Sequence, residues 1–259
     1  MPAFHRYLGI DYSGAQTAES SLKGLRVYQA SRESPPEEVP PPPSPRKYWT
    51  RAGLAAWLAE QLAEPVPTLV GIDHNFSFPL RYFEAHHLVP DWPAFLDDFQ
   101  AHWPTDAEYT YVDFIRDGSC GNGAARSGNA RWRRITEQRV GAKSVFHFDV
   151  PGSVAKSSHA GLPWLRHLRL RLGDRVHWWP FDGWEIPAGK SALAEVYPSL
   201  WSKGIPREGR TPDQHDAFVI AAWLRQVDGD GSLAEFLQPS LPSGSRAVAL
   251  VEGWILGVR

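Results

Sequence analysis

Two short apolar runs constrain this chain more than any other feature: RYLGID at residues 6–11 and TLVGID at residues 68–73. Each reads as a buried strand that ends on an aspartate, with a glycine two residues earlier. An unpaired carboxylate leaving water is expensive, so such a group meets a metal, a cation or a helix N-terminus. What Asp11 and Asp73 face is therefore the question the sequence poses. Between the two runs, GLRVYQAS reads as a second strand, giving an antiparallel hairpin whose turn spans Gln16 to Lys23. TRAGLAAWLAEQLAE then reads as a helix capped by Thr50, with Leu54, Trp57, Leu58 and Leu62 at helical spacing. Strand, hairpin, helix and strand in this order predict a mixed sheet with a crossover helix.

Bulk properties narrow the class. With 259 residues, 42% of them hydrophobic and 22% charged, the chain can bury the core of one large domain. A net charge of -2 means that any affinity for nucleic acid must come from local patches. The single cysteine, Cys120, excludes an internal disulfide and a cysteine-rich zinc site, and fits a reducing cytoplasm. No signal-peptide pattern opens the chain, and AVALVEGWILGV near its end is broken by Glu252 and too short to span a bilayer. The expectation is a cytoplasmic protein without a membrane partner.

The rest of the chain is less regular. SPPEEVPPPPSP, with its proline-rich core at residues 35–45, reads as an extended acidic surface loop. PLRYFEAHHL and DWPAFLDDFQAHW read as helices, the second starting at Asp91. The Gly-rich stretch at residues 117–130 reads as a mobile loop, and the whole segment at about 74–177 as an insertion or lid on a single domain covering residues 1–259. PGSVAKSSHAGLPWLRHLRLRLGD predicts helices and RVHWWPFDGW a strand or hairpin. SALAEVYPSLW is another apolar strand, interrupted by Glu195. Thr211 caps a late helix with Pro212 at its first position, and Asp213 and Asp216 lie in its first turn.

Isolated carboxylates thus recur at Asp11, Asp73 and Glu195, and again at Asp213 and Asp216. Carboxylate oxygens are the ligands preferred by Mg²⁺ and Mn²⁺. Two such ions, about 3.5–4 Å apart, can clamp the attacking and leaving oxygens of a phosphodiester. Acidic residues converging from rigid elements at one end of a sheet are what that chemistry needs.

The order GIDYSGA, GIDHNFSFP, AEVYPSLW, DQHDAFVIAA and EGWILGV resembles a family of predicted nucleases in the ribonuclease-H-like superfamily, catalogued mainly as a domain of unknown function. Its pattern has an aspartate on the first strand, and another after the fourth that is followed six residues later by proline. A Glu-Val-x-Pro strand and an aspartate opening a late helix complete it. The resemblance covers both ends of the chain and implies an α/β fold with a mixed five-stranded sheet flanked by helices. It also implies metal-dependent phosphodiester hydrolysis, with Asp11, Asp73, Glu195 and Asp216 as catalytic residues and Asp213 as a further metal ligand. Holliday-junction resolvases and transposase and integrase cores share that fold more distantly.

Two basic segments interleave arginines with aromatic or aliphatic residues: RWRRITEQR and WLRHLRLRLGDR. In the first, Arg131, Arg133 and Arg134 are candidates to steer a nucleic-acid substrate. In the second, Leu165, Leu168 and Leu172 form one helical stripe and predict a core-facing helix. The Gly-rich stretch lacks the Lys-Ser/Thr ending of a P-loop and reads as a linker. Cys120, the pair His86-His87 and His147 each read as packing or surface residues. Two other functions compete: a nucleotide-binding kinase or ATPase of the actin-like group, in which GIDYSGA would contact phosphates, and a non-catalytic module that binds nucleic acid or protein.

Overall fold

The structure is a computed structural model that describes residues 3–43 and 46–259. Its elements run in chain order as β1 (Arg6–Asp11), β2 (Arg26–Ser31), β3 (Glu37–Glu38), α1 (Arg51–Ala63), β4 (Thr68–Asp73), α2 (Leu80–Ala85), α3 (Trp92–His102) and α4 (Val112–Arg116). There follow α5 (Ile135–Val140), α6 (Ala155–Leu172), β5 (Val176–Trp178), β6 (Ser191–Glu195), α7 (Pro212–Gly229), α8 (Leu233–Leu237) and α9 (Ser243–Glu252). The strands form one mixed sheet in the order β3-β2-β1-β4-β6-β5. β1 pairs antiparallel with β2 and parallel with β4, and β4, β6 and β5 continue in parallel.

Helix starts follow local chemistry. Thr50 Oγ1 accepts the Gly53 N–H at 2.9 Å, and Asp91 Oδ1 accepts the Ala94 N–H at 2.9 Å. Thr211 and Gln214 form a reciprocal capping box at the start of α7, with Pro212 at its first position. The predicted hairpin and crossover helix are both present.

Side-chain alternation sorts the sheet into two buried faces. Leu8, Ile10, Val27, Val70, Ile72 and Leu193 share a core with residues of α1, α3 and α6. Tyr7, Leu69, Ala192 and Ala194 face the other way, in a core with Ile220 and Leu224 of α7. Gly9 and Gly71 belong to this second face. A Cβ on Gly9 would lie 2.2 Å from the Ala217 carbonyl oxygen, and one on Gly71 2.7 Å from Ile220 Cγ2. The glycine of each GID run is therefore the residue that lets α7 lie against the sheet.

Several expectations change. The sheet has six strands, not five, because Glu37–Glu38 adds a short edge strand beside β2. Within the proline-rich stretch, Glu37 and Glu38 pair with β2, while Ser44 and Pro45 lie outside the described residues. The Gly-rich segment is packed, not a free linker: Gly128 sits against the Phe146 ring, and Arg126 makes two hydrogen bonds to Asp98. α6, inside the expected lid, buries Leu165, Leu168 and Leu172 in the same core as α1. Among the described residues, no helix is long and apolar enough to cross a membrane.

Candidate functional site

Asp11 and Asp73 are register partners at the ends of two neighbouring parallel strands. Each lies two residues beyond a glycine that touches α7, so both carboxylates project on the α7 side of the sheet. α7 runs with Ala217 and Ala221 over Gly9, which brings its N-terminal end, with Asp213 in the first turn and Asp216 just beyond it, towards the aspartate ends of the strands. A Cβ on Gly24 would lie 3.7 Å from Asp213 Oδ2 and 3.6 Å from Ser13 Oγ, so Asp213 leans over the β1–β2 connection.

All four aspartates are half-buried and they share one electrostatic field. Burial holds the Asp11 carboxyl well above the ordinary range, and repulsion from Asp73, Asp213 and Asp216 adds to it. Burial likewise raises Asp73, with Asp216 and Glu195 adding repulsion. Asp216 is raised by burial and by Asp213. Opposing charge is limited: Arg26 acts on Asp11 but is bound to Glu38, and Arg207 acts on Asp216. No three His, Cys, Asp or Glu side chains among the described residues converge into a ready ligand shell. The aspartates are a concentration of negative charge at the ends of the central strands.

Glu195 departs from the expectation that it joins them. It is the register partner of Ile72, so it projects on the face opposite to Asp73. Both of its oxygens are engaged by Arg134, one at 2.7 Å, and Oε2 also accepts the Phe76 N–H at 3.0 Å. Arg134 departs too. It is fully buried and cannot steer a substrate from solution. Burial works against its charge, but Glu195 and Glu137 outweigh that and hold the guanidinium above its ordinary range. Arg131 and Arg133 are exposed.

The Arg134 cluster has a clear mechanical effect. Glu137 Oε1 takes the Arg134 Nε at 2.8 Å and the Asn75 Nδ2 at 2.5 Å. Glu195 and Glu137, both anchored on Arg134, thus grip the backbone of Phe76 and the side chain of Asn75. They fix the turn immediately after Asp73. Glu252 ties α9 in by accepting the Leu80 and Ile135 N–H groups. Neither Glu137 nor Asn75 stood out in the sequence, although the Arg134–Glu137 spacing of three is the i,i+3 signal of a local ion pair. Asp73, Asn75, Arg134, Glu195 and Tyr197 line one cavity of about 130 Å³ beside the turn.

Comparisons with family models, with curated proteins and with solved structures return no match to this chain. Its function must be read from the site itself.

Proposed function

We propose that this chain is a metal-dependent phosphodiester hydrolase of ribonuclease-H-like fold, acting on nucleic acid. The sheet supports that reading: β2, antiparallel to β1, lies on one side of it and β4, parallel to β1, on the other. The observation that carries the proposal is the gathering of four carboxylates, Asp11 and Asp73 at the C-terminal ends of β1 and β4 and Asp213 and Asp216 near the start of α7, with burial and mutual repulsion raising Asp11, Asp73 and Asp216. A folded chain tolerates such a concentration of charge where a cation relieves it.

The donor set is all oxygen, which suits Mg²⁺ or Mn²⁺ and disfavours softer metals. Asp11 and Asp73 would hold the ion from rigid strand ends, and Asp213 and Asp216 from the N-terminal end of α7. When bound, the ion supplies Lewis-acid polarisation of the phosphodiester and a more acidic water. Glu195, Glu137 and Arg134 act one layer back, holding the Asp73–Phe76 turn in place. Arg131 and Arg133 supply exposed positive charge for phosphates.

The test is cleavage of labelled single-stranded and duplex DNA and RNA with and without Mn²⁺. Cation-dependent cleavage that falls at least about a hundredfold in Asp11→Asn and Asp73→Asn is the expected result. Cleavage that survives both substitutions overturns the proposal.

A further inference from the structure

The cavity beside Asp73 has a wall that neither the aspartates nor the Arg134 cluster supplies. Two turns build it, each on a glycine with left-handed backbone: Gly141, at φ 69°, ends α5, and Gly152, at φ 68°, precedes α6. Lys143 leaves the first turn and reaches the second, where its Nζ donates to the Pro151 carbonyl. Its Nζ lies 3.6 Å from where a Cβ on Gly152 would stand, which puts the ammonium at the cavity wall.

Three basic side chains line this cavity: His74, Arg134 and Lys143. Burial pushes His74 down to about 4, so its ring is neutral. Arg134 is engaged by Glu137, by Glu195 and by the Glu252 carbonyl. Lys143 is different. An ammonium has three N–H donors, and among the described residues this one meets the Pro151 carbonyl and no carboxylate. A long, flexible lysine beside a carboxylate as repelled as Asp73 gains by pairing with it. Here the two line one cavity of about 130 Å³ without forming an ion pair.

That space holds several waters, and so has room for a phosphoryl group. The ligand that suits a metal-binding carboxylate on one part of the lining and an unpaired ammonium on another is an anion with two oxygens, one for each cation. A phosphodiester presents two such non-bridging oxygens. We propose that Lys143 binds the scissile phosphodiester, donating to one non-bridging oxygen within the cavity it shares with Asp73. The proposal deepens the hydrolase reading by naming the cation that meets the reacting phosphate, and it rests on that reading for the identity of the anion.

The first test is made in EDTA on Asp73→Asn protein, so that it needs neither metal nor cleavage and the carboxylate that repels a phosphate is gone. Anisotropy of a labelled single-stranded oligonucleotide, followed against KCl concentration, counts phosphate contacts: each contributes about 0.7 to the slope of log K on log salt. Lys143 is exposed, so its substitution leaves the core intact. Adding Lys143→Met should reduce the slope by about 0.7, and Lys143→Arg should preserve it. Lys190→Met, an equal loss of charge just before the start of β6 and so at the other end of the sheet, should leave it unchanged. A lysine that only fastens the two turns would lower the melting temperature without moving the slope. In the otherwise native chain with Mn²⁺, Lys143→Met should lower kcat about a hundredfold. No oligonucleotide binding, an unchanged slope, an equal change in Lys190→Met or an undiminished kcat overturns the proposal. Cleavage with an unchanged slope leaves the hydrolase standing without Lys143, whereas a reduced slope in a chain that cleaves nothing keeps the phosphate contact and removes the hydrolase.

Discussion

Asp11 and Asp73 stand opposite each other in the register of β1 and β4, each at the end of its strand. Neighbouring strands lie about 4.8 Å apart, so the two carboxylates cannot avoid each other's field. The rest of the site is arranged around that repulsion.

Removing one of the two charges should therefore stabilise the protein. Asp73→Asn is expected to raise the melting temperature at pH 7 in EDTA by about 2–4 °C, the effect of about 1 kcal/mol in a chain of this size. Calorimetric melting of both proteins checks it, and a fall in melting temperature would place Asp73 in a structural role instead.

The pH dependence follows from the same groups. Asp11, Asp73 and Asp216 are raised in the folded state, so above the unfolded carboxyl value of about 4 the native state holds more protons than the unfolded one. Stability contributed by these sites then falls as pH rises from about 4 through the raised folded values. The advantage of Asp73→Asn over the native sequence should shrink as pH is lowered from 7 towards 4. Urea unfolding at several pH values in that range reads this out; a pH-independent difference contradicts it.

Divalent cations should act in the opposite direction to the repulsion. At an Mn²⁺ concentration of about a hundredfold over its dissociation constant, the melting temperature of the native protein should rise by about 5–10 °C. The shift should vanish in Asp11→Asn. An equal shift in the variant would locate cation binding elsewhere.

The contact of α7 with the sheet depends on Gly9. Gly9→Ala would place a methyl 2.2 Å from the Ala217 carbonyl oxygen, and should cost about 3 kcal/mol. Gly24→Ala meets nothing closer than 3.6 Å and serves as the tolerated control. Comparable unfolding midpoints for the two variants would contradict this account.

Arg134 is fully buried and pairs with two buried glutamates, Glu137 and Glu195. Arg134→Met leaves Glu195 and Glu137 buried without their cation, and should cost about 3–5 kcal/mol. Adding Glu195→Gln should recover part of that loss, because the unpaired buried charge is removed. Denaturant unfolding of the single and double variants measures the coupling.

The local sequence determined much of this protein. It marked the GID strands, the hairpin, α1 with its Thr50 cap, and α7 with its Thr211 box, because alternation, helical spacing and capping act within a few residues. It also picked out Asp11 and Asp73, since a carboxylate ending an apolar run is visible without a partner strand. Which face Glu195 takes was decided by its register with Ile72, more than a hundred residues away, and a strand sequence carries parity but not register. Arg134 read as one of three arginines, with Arg131 and Arg133, that steer a substrate from the surface. Its burial is set by Glu195, 61 residues distant, together with Glu137 beside it. The Gly-rich segment read as loose for the same reason: the Phe146 ring against which Gly128 is pressed enters only through the folded chain. Propensity and pattern are properties of neighbours in sequence, whereas the electrostatics of a buried site are summed over neighbours in space.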